Sequence, residues 1–401
     1  MAGLYHLTRC SRLTHIVKPP TAKYLTPCLT LSSRIQPRHY SSDNLRKPSP
    51  VMETVTGAVR NVQTTITENM GGIAHSLANK EEQFDLSKDV PDQSGKVALI
   101  TGGSEGIGFA TAYTLLKANL AKLFIISLHE DVVDNAVEEI KKDLGSQYAD
   151  KVVWLPCDMS DLKAVTEVAK KVRDQTDRLD ILCLNAARGI MTYQLTEYGV
   201  DRHFAVNHLG HVTLTSHLLP LLKKTSKDST VRIQIQASNA HEQTPEDTKF
   251  ASLDELNRDL GPMPQYGRAK LTGILYARYL DAHLHAEHPS ILINATHPGV
   301  VETKMSAEDI HEPYPVRGYA MSVAMKPLKK DIWMGCVSTV YAASATEKSG
   351  EYICPPATPE PGSELARNKQ LGEQLMKLTR EIVKEKFGSE SVEKGCPLKD
   401  Y

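Results

Sequence analysis

The stretch Lys96-Val-Ala-Leu-Ile-Thr101-Gly102-Gly103-Ser104-Glu105-Gly106-Ile107-Gly108 decides how this chain is read. Its first six residues are a short apolar run of the kind that forms a buried parallel strand. The glycines follow at once, and a helical pattern begins at Phe109. Strand, glycine turn and helix in that order are what a dinucleotide needs. Glycines let the backbone turn tightly and approach the pyrophosphate, which then faces a helix N-terminus. The spacing is Thr-Gly-x-x-x-Gly-x-Gly, and four fixed positions would recur by chance in roughly one chain of this length in a hundred. Gly102, Gly106, Ile107 and Gly108 are therefore the first candidate cofactor contacts.

Working outward, the chain continues as alternating strands and helices. Leu123–Ser127, Val152–Leu155 and Ile181–Leu184 read as strands, with helices over about Asp131–Leu144 and Leu162–Val172 between them. Repeated units of this kind predict an α/β fold, a Rossmann-type doubly wound parallel sheet. Ligands in such sheets gather at the carboxyl ends of the strands. Asp158 stands after the third strand, where it either accepts from an adenine amino group or caps a helix. Asn185-Ala186-Ala187 stands after the fourth.

The second half carries the chemistry. A long helical stretch, Val200–Leu222, contains Asn207-His208-Leu209-Gly210-His211. Val231–Ala237 reads as a fifth strand ending at Ser238, and Tyr266-Gly-Arg-Ala-Lys270 opens another helix. Tyr266 and Lys270, four residues apart, lie on one helical face. Phenol is a poor acid or base at neutral pH until a neighbouring cation favours the phenolate, and Lys270 supplies that cation. The motif alone is weak, since Tyr-x-x-x-Lys occurs a second time at Tyr113–Lys117. That copy follows the glycine turn and has no serine-bearing strand end before it. Context selects Tyr266.

With these residues assembled, the chain resembles the short-chain dehydrogenase/reductase family over about Ser94–Glu385. The glycine turn, Asp158, Asn185-Ala186, Asn207, Ser238, Tyr266-x-x-x-Lys270 and His297-Pro298-Gly299-Val300-Val301-Glu302-Thr303 occur in the family's order. Asn207-His-Leu-Gly-His211, Ser238-Asn-Ala-His241 and the spacing from Ser238 to Tyr266 are most similar to its retinol-dehydrogenase-like branch. The resemblance implies a hydride exchanged with a nicotinamide while Tyr266 exchanges the proton with the substrate oxygen. Lys270 then lowers the tyrosine pKa and binds the nicotinamide ribose. Ser238 orients the carbonyl or hydroxyl, Asn207 holds a water linking Lys270 to solvent, and Val301 and Thr303 contact the carboxamide end.

Some positions depart from the family pattern. Ala187 replaces the usual glycine, and Gln234 and Gln236 are polar in a strand that should be buried. Cofactor choice stays open at Ser127-Leu128-His129-Glu130. An acid there would accept from a ribose 2′-hydroxyl and indicate NAD, while an arginine would pair a 2′-phosphate. His129 falls near the arginine position and Leu128 near the acidic one. The resemblance favours NADP(H), Glu105 leans towards NAD(H), and neither is excluded.

Composition bounds the rest. The 401 residues include seven scattered cysteines with no Cys-x-x-Cys, which points to a reducing compartment and away from structural zinc. The formal net charge is −1, so there is no basic footprint for nucleic acid. No run approaches the ~18 apolar residues of a membrane span. The average charge hides an asymmetry, because Met1–Ser42 contains six Lys or Arg and no Asp or Glu. Rich also in Ser, Thr and Leu, and ending in Arg38-His-Tyr-Ser-Ser42, it reads as a mitochondrial transit peptide, with a basic arm as the alternative. This leader and the domain together resemble the blue-light-inducible mitochondrial oxidoreductases of filamentous fungi. The expected layout is transit peptide 1–40, linker 41–93, a single catalytic domain 94–387 and tail 388–401. A narrow apolar stripe, Val51, Val55, Val59, Val62, Ile66, Met70 and Ile73, predicts a linker helix that either contacts a membrane surface or a partner, or lies on the domain's own surface or stays partly unfolded.

Two histidine groups were weighed as metal ligands. His203, His208 and His211 have no acidic or cysteine ligand nearby, and His283, His285 and His288 read as a solvated helix end, so no metal site is predicted. The stripe Leu371, Leu375, Leu378 and Ile382 reads as a helix that closes the domain or meets a second subunit, which leaves a homo-oligomer open. The expectation is thus a mitochondrial, matrix-located NAD(P)-dependent oxidoreductase of hydroxyl/carbonyl pairs. Its substrate loop, Met305–Asp331, is rich in Met, Pro and Tyr and suits a lipophilic small molecule. The other reading is a cofactor-binding sensor or scaffold with little turnover, which would not need the proton-transfer residues.

Overall fold

Five consecutive buried residues make β1 (Val97–Thr101) the centre of the sheet. Its parallel neighbours are β2 (Lys122–Ser127) on one side and β4 (Ile181–Leu184) on the other. The computed structural model describes residues 83–299, 301, 312–313 and 331–387. Beyond β2 lies β3 (Val152–Pro156), and beyond β4 lie β5 (Val231–Gln236), β6 (Ile291–Thr296) and β7 (Tyr352–Cys354), all parallel. A short β8 (Thr358–Glu360) pairs antiparallel with β7, giving the order β3-β2-β1-β4-β5-β6-β7-β8. The order reverses direction between β1 and β4, which opens a crevice at their carboxyl ends.

Alternation along the strands explains why both faces are covered. Val97, Leu99, Phe124 and Ile126 point into one apolar cluster, while Ala98, Ile100, Leu123 and Ile125 point into the other. Each face then needs helices with an apolar stripe. Helices α1 (Gly106–Lys117) and α2 (Glu130–Leu144) cover the second, with Leu115, Leu116, Ala136 and Ile140 buried. The first takes α3 (Leu162–Gln175), α4 (Gly210–Thr225), α5 (Pro262–Leu284) and, nearer the C-terminus, α7 (Lys369–Phe387). Between β6 and β7 runs α6 (Ile332–Ser344). The stripe Leu371, Leu375, Leu378 and Ile382 is buried within this chain, where α7 packs on α5. Burying each such leucine contributes roughly 1.5–3 kcal/mol.

Three boundaries differ from the sequence reading. Helix α1 begins inside the glycine turn at Gly106, and α5 begins at Pro262, a turn before Tyr266. Pro262 and Pro264 look like breakers, but they stand in the first turn, where backbone N–H groups have no intrahelical partner to lose. The stretch expected as one helix from Val200 begins with Arg202–Phe204, widens into a π turn over Ala205–Leu209 and runs on as α4. Residues from 83 onward, read as linker, touch the domain. Phe84, Leu86 and Val90 pack beside α1 and α6, and the Gln93 amide donates to Ala118 O at 2.7 Å. The transit peptide, the stripe at 51–73 and most of the substrate loop lie outside the described residues, among which no helix is long and apolar enough to cross a membrane.

Candidate active site

The β1–α1 turn is built for close approach. Gly102 has a φ of +63°, and a Cβ there would stand 3.1 Å from Ala186 Cα. A Cβ at Gly108 would overlap the Gly102 carbonyl oxygen. Asn185 holds the turn from across the crevice, its Nδ2 donating to Thr101 O at 3.1 Å and Gly102 O at 3.2 Å. Thr101 Oγ1 in turn accepts from the Asn185 and Ala186 amides, each at 2.9 Å. No side chain caps α1, with Glu105 extended at its cap position, so the first-turn amides around Gly106, Ile107 and Gly108 suit an anion. At the end of β2, Ser127 Oγ is buried without a hydrogen-bond partner. Leu128 beside it is 55% exposed, and His129 is exposed at the start of α2. A cradle that side chains would fill, open amides and an orphaned hydroxyl at this strand end fit a dinucleotide.

Asp158 behaves partly as a turn residue. Its Oδ1 accepts from Ser160 N and Oγ, both at 2.8 Å, and its Oδ2 lies 3.5 Å from the Arg202 guanidinium. The cap of α3 is Asp161 instead, accepting from Lys163 N and Ala164 N.

Two elements carry the expected proton-transfer residues. Ser238 follows β5, and its Oγ accepts from Ala240 N at 3.1 Å as a short 3₁₀ turn, Asn239–Gln243, begins. Helix α5 sits directly on that turn, because a Cβ at Gly267 would be 2.5 Å from Ala240 O. The glycine beside Tyr266 thus lets the tyrosine's helix approach the end of the serine's strand. On the same helix, Lys270 Nζ lies 5.6 Å from the Tyr266 ring centroid and donates to Gln236 O at 3.0 Å. Lys270 is buried, and loss of hydration pushes its pKa down to about 8.

The two glutamines of β5 find partners in a buried cluster. Gln234 Nε2 donates to Thr296 Oγ1 at 2.6 Å, and Gln236 Oε1 accepts from Thr339 Oγ1 at 2.9 Å and from Thr296 Oγ1 at 3.2 Å. The polar residues that broke the strand's apolar pattern therefore tie β5 to β6 and α6, and the Gln236 backbone receives the Lys270 ammonium.

Asn207 lies in the π turn, a distortion common at functional sites. Its side chain is committed to the β4-end loop, Oδ1 accepting from Arg188 N at 2.6 Å and Nδ2 donating to Arg188 O at 3.2 Å. Only its backbone carbonyl faces elsewhere, with His211 Nδ1 at 3.3 Å. Val301 is buried against α6, where a Cβ at Gly335 would come within 2.5 Å of its side chain. Thr303 lies outside the described residues.

Several residues have contacts whose roles the sequence reading did not assign. His241 Nδ1 donates to Ser238 O at 2.8 Å while its Nε2 accepts from Ser363 N at 3.1 Å, and burial pushes its pKa down to about 4. It holds the Ser238 turn against the segment before α7. Gly267 and Thr101 carry no titratable group that would draw attention. His211 was read as part of the Asn207–His211 run and as a metal-ligand candidate; among the described residues no cluster of three or more His, Cys, Asp or Glu is placed to hold a metal.

A parallel sheet with a glycine cradle and a serine, tyrosine and lysine at its carboxyl edge defines a nucleotide-dependent dehydrogenase of the short-chain class. The chain belongs to the short-chain dehydrogenase/reductase family. Residues 96–249 match the family model described as short chain dehydrogenase. A Neurospora crassa protein named as the mitochondrial oxidoreductase bli-4 is 46% identical over 98% of this chain and 97% of its own length. A polyprenol dehydrogenase of Danio rerio is 29% identical over 69% of this chain and 82% of its own. Among solved structures, a Mycobacterium paratuberculosis protein superposes with a TM-score of 0.57 at 24% identity, covering 75% of this chain and 98% of its own.

Proposed function

We propose that this protein is a mitochondrial NAD(P)-dependent oxidoreductase that interconverts a hydroxyl and a carbonyl on a lipophilic small molecule, with Tyr266 as acid/base. The observation that carries the reading is the buried Lys270 ammonium on the Tyr266 face of α5, 5.6 Å from the phenol ring. A cation fixed in a dry setting favours the phenolate far more than one in water. A protein that only sensed the cofactor could use the lysine on the ribose but would have no use for a phenolate beside it.

The nicotinamide supplies or accepts the hydride when bound, and this chain's residues arrange the rest. Gly102, Gly106, Ile107 and Gly108 cradle the pyrophosphate, with Asn185 holding their turn. Asp158, through what its Arg202 contact leaves free, takes the adenine side, and Val301 and Thr303 take the carboxamide end. Ser238 orients the substrate oxygen towards Tyr266, which delivers or removes the proton. Lys270 stabilises the phenolate and holds the nicotinamide ribose, while Asn207 holds a water that connects Lys270 to solvent. NADP(H) is favoured over NAD(H), because Leu128 cannot accept from a 2′-hydroxyl and His129 stands beside it. The lipophilic substrate rests on the composition of the loop from Met305, and the matrix location on the acid-free leader and the name of the Neurospora relative.

The test is a screen of purified protein against aldehydes, ketones and alcohols with both nicotinamides. Turnover with either supports the reading. Tight cofactor binding without turnover on any compound supports the sensor instead.

A further inference from the structure

His211 stands one helical turn beyond Asn207 and shares its face. Its ring is 3% exposed, with Nδ1 3.3 Å from Asn207 O and Nε2 3.0 Å from Thr101 Oγ1. These contacts fix the tautomer. A carbonyl oxygen only accepts, so Nδ1 carries the hydrogen and Nε2 is bare. Nε2, at 3.0 Å, then accepts the Thr101 hydroxyl hydrogen in preference to Cys183 O at 3.4 Å, leaving two acceptor sites on that oxygen for the Asn185 and Ala186 amides. The opposite tautomer would press a lone pair against the carbonyl and crowd three donors onto two sites. Both ring nitrogens are thereby used, which leaves none for a metal.

We propose that His211 is a positioning residue whose neutral ring, protonated on Nδ1, locks the glycine cradle and the end of β4 to the Asn207 carbonyl. The inference rests on the oxidoreductase reading for its purpose, since it couples the cofactor side of the crevice to the proton-transfer side. Burial and the nearby Lys270 charge both hold the ring neutral, pushing its pKa down to about 3, while the Asn207 carbonyl acts the other way.

Three variants separate the two bonds. In His211→Gln the amide reaches where Nε2 stood and can still accept from Thr101. In His211→Asn it reaches where Nδ1 stood and can still donate to Asn207 O. His211→Leu keeps bulk and loses both. NADPH and NADH titrations of the full chain should find His211→Gln within about threefold of wild type, with His211→Asn and His211→Leu weakened about tenfold or more, because the buried Thr101 hydroxyl keeps only its longer 3.4 Å contact to Cys183 O. Histidine-selective ¹⁵N spectra should show a ring protonated at Nδ1, bare at Nε2 and constant from about pH 5 to 9, a signal absent from His211→Gln. An Nε2-protonated or titrating ring would overturn the assignment. So would an equal loss of affinity in all three variants tracking their melting temperatures, the mark of packing alone. Neither readout uses turnover, so failure to find a substrate leaves the proposal decided. A wild type that bound neither nicotinamide would instead remove the oxidoreductase reading and the coupling with it, while the spectrum still reported the tautomer.

Discussion

Lys270 is the residue on which the proposed chemistry turns, and its ionisation has consequences for stability as well. Unfolded, its amine titrates near 10.5, while burial lowers the folded value to about 8. Between those values the unfolded chain binds more protons, so stability rises with pH across the window and is lost as pH falls through about 8. Lys270→Met removes the titration. Urea unfolding of both proteins at several pH values should therefore show wild type gaining about 3 kcal/mol relative to Lys270→Met from pH 7 to beyond 10.5. A flat difference would mean the ammonium is solvated. Tyr266 and Lys270 were legible because a helix repeats every 3.6 residues, which turns a spacing of four into a shared face. The pairing of Thr101 with His211 was not, because it joins segments 110 residues apart in sequence. Asp158 was left between an adenine contact and a helix cap; the cap falls to Asp161, while Asp158 spends one oxygen on Ser160 and lies with the other 3.5 Å from Arg202.

Elements carry the next layer of argument. The strands from β1 to β5 were readable from apolar runs, and α2 and α3 from their periodic stripes, since pattern alone determines which face is buried. The rest of the sheet was harder. β7 and β8 are three residues each, too short to display a period. The π turn at Asn207 leaves no sequence signature, because it is selected by the loop it must meet at Arg188. The start of α5 was hidden by two prolines that a first turn tolerates. That helix also yields a direct prediction. Gly267→Ala places a methyl against Ala240 O and must lift α5 from the Ser238 turn, costing about 1–3 kcal/mol. Because the displaced helix carries Tyr266 and Lys270, turnover should fall at least about tenfold and cofactor affinity should weaken by a smaller factor. Urea unfolding and steady-state rates measure both. Full activity in this variant would mean that the serine and tyrosine do not depend on the contact.

At the scale of the whole molecule, the near-zero charge of the sequence is an average over unlike parts. Without Met1–Tyr40 the count becomes 41 basic against 48 acidic residues, a charge of −7 for residues 41–401. Such a surface offers no electrostatic help to docking on nucleic acid or anionic lipid. A fluorescent fusion of the full chain should enter mitochondria, and one lacking residues 1–40 should stay outside; equal import of both would remove the leader from the account. The binding of α7 within the domain bears on assembly as well. Its apolar stripe is satisfied inside one chain, so a second subunit would have to use another surface.

The central claim is that Tyr266 transfers a proton while hydride moves between a nicotinamide and a hydroxyl/carbonyl pair. The most direct measurement compares wild type and Tyr266→Phe for turnover on any compound the wild type converts, alongside NADPH and NADH affinity. The account predicts a loss of roughly 10²–10⁴ in rate with affinity within a few-fold of wild type. A Tyr266→Phe protein that turned over at near wild-type rate would contradict it.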